Sequence, residues 1–65
     1  MNANQIASLI GLTTQAYVNH QLDSKLTADL TAALFRLSKE LGIHDETQAA
    51  VREFKLREYE APANG

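Results

Sequence analysis

The sequence predicts an all-α fold: a compact four-helix domain over residues 1–60, with a flexible tail at 61–65. Two observations lead there. Apolar residues recur at three- and four-residue steps, and no stretch alternates polar with apolar as a half-buried strand would. Helix-stopping and helix-capping residues then cut this pattern into segments of helical length.

The first segment, NANQIASLIG, sets Ile6, Leu9 and Ile10 on one face, with Asn2 or Asn4 as N-cap and Gly11 as stop. It predicts a helix over 3–10. Thr13 then stands at an N-cap position, and a second helix is expected over 14–21. After the polar connection LDSKL, residues 27–41 carry the clearest pattern. Leu30, Ala33, Leu34, Leu37 and Leu41 form its core face, Leu26 packs just ahead, and Gly42 ends it. In HDETQ, Asp45 and Gln48 have capping-box spacing, so a fourth helix is expected over 46–60. Its apolar positions are Ala50, Val51, Phe54, Leu56 and Tyr59, and Glu53 with Arg57 has ion-pair spacing.

Bulk properties narrow the function. A chain of 65 residues buries only about 60 % of its unfolded surface, so its stability is marginal and self-association would help. There is no cysteine, hence no disulfide or thiolate zinc site. The two histidines have too few acidic neighbours at ligand spacing to suggest a metal, and no cofactor is expected. No nucleophile–base set or glycine-rich phosphate loop points to an enzyme. Neither a membrane-spanning run nor a secretory leader is present, which predicts a cytoplasmic protein. The net charge of −2 gives no global attraction to nucleic acid. Residues 1–22 contain no Asp, Glu, Lys or Arg at all.

The stretch ASLIGLTTQAYVNH, residues 7–20, resembles the helix-turn-helix of bacterial and phage regulators. In that motif a small residue lets two helices approach, and a glycine four residues later takes a positive-φ corner. Ala7 and Gly11 have that spacing, Ile6, Ile10 and Leu12 flank the corner, and Ala16 is again small. The layout is similar to a lac-repressor-type headpiece, while LSKELGI at 37–43 is similar to the end of a helix in Cro-like repressors. The resemblance covers about residues 4–43. It departs at Tyr17 and His20, where the family carries apolar residues; Val18 and Leu22 are then the expected buried pair.

The resemblance implies a small dimeric transcriptional regulator, a phage or plasmid repressor, that binds double-stranded DNA. Candidate DNA-binding residues are Thr13, Thr14, Gln15, Tyr17, Asn19 and His20, with Lys25 beside them. Gln and Asn can bond adenine edges, and Thr can bond phosphate. Val51, Phe54 and Tyr59 are the candidate homodimer contact. The charge-free first 22 residues suggest a second class: an acidic helical module, such as a phage-encoded inhibitor or antirepressor, that docks on a protein partner.

Overall fold

The computed structural model describes residues 1–63, with side chains placed through Phe54. It is all-helical: α1 spans Ala3–Val18, α2 Ser24–Glu40 and α3 His44–Ala63, and no strand occurs among the described residues. Three helices therefore stand where four were expected. The expected tail begins inside α3, and residues 64–65 lie outside the described ones.

The correction falls on residues 3–21. α1 runs through Gly11 without a break, so there is no corner there and no helix-turn-helix over residues 7–20. Gly11 does not have positive φ. A glycine inside a helix costs about 1 kcal/mol relative to alanine, which weakens a helix without ending it. Continuity is supported at both ends of the segment. The Asn2 side chain accepts from the Gln5 amide at 2.9 Å, while the Gln5 side chain accepts from the Asn2 amide at 2.9 Å. Beyond the glycine, Thr13 and Thr14 are not caps; their hydroxyls donate to the carbonyls of Leu9 and Ile10, at 2.8 and 3.0 Å. The buried residues Ile6, Ala7 and Ile10 continue in phase to half-buried Thr13 and Thr14, so one stripe crosses Gly11.

α1 ends at a left-handed cap. His20 has φ 63°, its amide donates to the Tyr17 carbonyl at 3.0 Å, and the Gln21 amide donates to that of Ala16 at 2.8 Å. α2 ends in the same way at Gly42, with φ 71°. Gly42 N–H donates to Lys39 and Ile43 N–H to Ser38, at 3.1 and 2.9 Å. The small-residue and positive-φ-glycine pair expected at Ala7 and Gly11 is thus realised at Ser38 and Gly42.

α2 begins earlier than expected, because Asp23 caps it by accepting from the Leu26 amide at 2.7 Å. α3 also begins earlier. His44 is its first residue, Asp45 and Glu46 lie in its first turn rather than Asp45 being the cap, and Thr47 N–H already bonds the Ile43 carbonyl. Acids in that turn still suit the positive end of the helix dipole.

α1 packs against both other helices, which share a smaller contact near their connection. The buried apolar residues among those described are Ile6, Ala7, Ile10 and Ala50, joined by Ser38 and Thr47. Small side chains dominate that set and allow the helices close approach. The radius of gyration is 12.3 Å, against about 10.7 Å for a compact domain of this length.

The expected leucine core of α2 is corrected as well. Leu26, Leu30, Ala33, Leu37 and Leu41 are exposed, and only Leu34 of that set is half-buried. The helix turns Thr27, Thr31, Leu34, Phe35 and Ser38 inward instead. The Gly42 turn and an edge-to-face contact of Phe35 with His44, ring centroids 5.8 Å apart, set this rotation. Leu9 and Val18 are exposed too, while Leu22 is half-buried, so Val18 and Leu22 are not a buried pair.

Candidate functional site

The residues expected to read DNA do not form one surface. Thr13 and Thr14 are half-buried, and their hydroxyls are used within α1. Gln15 is exposed in the last turn of α1, on the same side as Asn19, the residue that caps the helix. Tyr17 and His20 instead line an open depression of about 480 Å³ at the α1–α2 corner, with Val18, Gln21, Leu22 and Asp23. Lys25 is exposed in the first turn of α2. The left-handed cap explains His20: its backbone role places its side chain at the corner rather than along a helical reading face.

The outward face of α1 is uncharged. It carries Gln5, Ser8, Leu12, Gln15 and Asn19, and Leu12 is 66 % exposed near its centre. Beside Leu12 runs an open groove of about 360 Å³, lined by Ser8, Gly11, Leu12 and Gln15 of α1 and Phe54 of α3. A Cβ built on Gly11 would meet nothing within 4 Å, so packing inside the chain does not demand glycine there. A second depression of about 270 Å³, lined by Asn4, Ala50 and Glu53, also borders Phe54. Of the residues expected at a dimer contact, Val51 and Phe54 are half-buried, and Tyr59 lies outside the residues whose side chains are described.

The α2 leucines that the sequence assigns to the core form an apolar strip on the surface instead. Leu26, Leu30, Leu37 and Leu41 are 49, 43, 36 and 47 % exposed along α2. At about 100° per residue they fall within about 60° of one another, which makes a narrow strip down one side of the helix. The four-, seven- and four-residue spacing was visible in the sequence; which side of α2 faces α1 was not.

No protein-family model, curated protein or solved structure matches this chain. Its surfaces must therefore be read from their own chemistry.

Ser38 and His44 have the composition of a nucleophile and base, with Oγ and Nδ1 3.1 Å apart. Yet Ser38 is fully buried and its hydroxyl donates to the Phe35 carbonyl at 2.6 Å, which leaves its oxygen to accept from Nδ1–H. The pair ties α2 to α3 across the Gly42 turn. Among the described residues no three His, Cys, Asp or Glu gather as metal ligands, and no helix is long and apolar enough to cross a membrane.

Proposed function

We propose that this chain is a protein-recognition module, which receives an apolar helical segment of a partner in the groove between α1 and α3. The observation that carries this reading is Gly11. It weakens α1 by about 1 kcal/mol relative to alanine, and no neighbouring atom needs the space it leaves. A ligand approaching the helix backbone does need that space. The surrounding Ser8, Leu12, Gln15 and Phe54 carry no charge, which suits an interface centre, where charged residues are depleted. An amphipathic helix laid into an apolar groove is a recurrent way of using such a surface.

Double-stranded DNA, the partner implied by the resemblance, has less support. Affinity for a duplex grows with the number of phosphates neutralised. α1 contains no cation, the first turn of α3 contains Asp45 and Glu46, and Thr13 and Thr14 have committed their hydroxyls.

Affinity capture from cells of the natural source distinguishes the two. The wild-type chain is expected to retain one protein in stoichiometric amount. Leu12→Asp and Gly11→Leu, with helical circular dichroism unchanged, are expected to lose it. Retention of the same protein by both variants overturns the groove as the site. Recovery of duplex DNA alone, surviving in a low-salt mobility-shift assay, overturns protein recognition in favour of DNA.

A further inference from the structure

We propose that α2 is the contact of an antiparallel two-fold homodimer, in which the leucine strip of one copy packs on that of a second copy. The proposal concerns a different surface from the α1–α3 groove and does not depend on what that groove binds.

The first argument is the extent of the apolar strip. The strip from Leu26 to Leu41 covers about 22 Å of helix at 1.5 Å per residue, and all four of its leucines remain 36–49 % exposed.

The second argument is charge, and it selects both the occupant and the orientation. Lys25, Asp29, Arg36 and Glu40 are all exposed and lie along one edge of the strip, in the order plus, minus, plus, minus. In an antiparallel two-fold pair this edge meets its own copy, running the other way. Lys25 then faces Glu40 of the second copy, and Asp29 faces its Arg36, each pair occurring twice. The leucines obey the same symmetry, Leu26 opposite Leu41 and Leu30 opposite Leu37. The centres of the two pairings differ by one residue, so with the leucines in register the paired charges are offset by two residues, about 3 Å along the helix, which lysine and arginine side chains span easily. A parallel two-fold pair would set the charged edge against the Thr27 and Leu34 edge of the partner, which holds no charge and is partly covered by α1. The isologous antiparallel contact thus satisfies strip and edge together.

Sedimentation equilibrium over a range from about 1 to 500 μM tests this at low salt, the condition that preserves exposed ion pairs. The wild-type mass is expected to rise from 7.2 kDa toward twice that value. Leu30→Glu is expected to hold it at the monomer value with helical content unchanged. Asp29→Arg, which faces Arg36 of the second copy, is expected to raise the dissociation constant about tenfold. Adding Arg36→Asp to the same chain should restore it, because the swapped pair is again opposite in sign. These exposed substitutions do not touch the core, so the swap remains readable if Leu30→Glu disturbs folding. A concentration-independent monomer overturns the proposal. So does a dimer insensitive to Leu30→Glu, which would place the contact elsewhere, such as at Val51 and Phe54. Failure of the double swap to rescue overturns the antiparallel register.

Discussion

Replacing Gly11 with alanine separates a continuous α1 from a helix-turn-helix corner by the sign of one measurement. In the structure Gly11 is helical, and a Cβ there meets no atom within 4 Å. Alanine should then stabilise the fold by about 1 kcal/mol, the difference between the two residues inside a helix. With about 2.1 cal/mol/K of unfolding entropy per residue, 1 kcal/mol corresponds to a rise of about 7 °C in Tm for a domain of this size. If Gly11 instead occupied a positive-φ corner, the added Cβ would cost about 1–2 kcal/mol, and Tm would fall by a similar or larger amount. The assay is thermal or urea unfolding followed by circular dichroism, at one fixed protein concentration, because self-association shifts apparent stability. Gly42→Ala is the internal control. With φ 71° at that position, its Tm should drop. A lower Tm for Gly11→Ala would refute the continuous helix. A higher Tm combined with weaker partner capture would show the fold and the groove making opposite demands on one residue.

Two further stability outcomes follow from the caps and the core. His20→Gly should stabilise by about 1 kcal/mol in urea unfolding, since a side chain at φ 63° opposes the left-handed conformation that glycine accepts; no gain would mean that this cap is not left-handed. Ile6→Ala should cost about 2–5 kcal/mol, as a fully buried isoleucine has no room to relax, whereas Leu12→Ala should stay within about 0.5 kcal/mol because Leu12 is 66 % exposed. Equal costs for the two would contradict the orientation of α1.

Much of the local structure was legible in the residues. The Asn2 cap, the stop at Gly42 and the acids at the start of α3 each act within one helical turn, where neighbouring residues alone decide the chemistry. Gly11 was misleading because glycine signals both a helix end and a weak point inside a helix. The deciding signal was the apolar phase, which passes from Ile6, Ala7 and Ile10 to Thr13 and Thr14 without slipping. His20 as a helix terminator had no comparable signal, since residues other than glycine seldom take that conformation.

The candidate surfaces were harder to read, and the reason is rotational. α2 carries two apolar faces about 100° apart, Leu26, Leu30, Leu37 and Leu41 on one and Leu34 and Phe35 on the other. Periodicity identifies an amphipathic helix but does not say which of two such faces meets the neighbour. By itself, the sequence determined an all-helical chain, the Asn2 cap, the stop at Gly42, an uncharged N-terminal stretch and the spacing of the α2 leucines with alternating charges beside them. Only the tertiary structure decided that the strip points outward. The Gly42 turn, the Ser38–His44 hydrogen bond and the Phe35–His44 contact act between helices, and together they lock the rotation of α2 that leaves its leucines exposed.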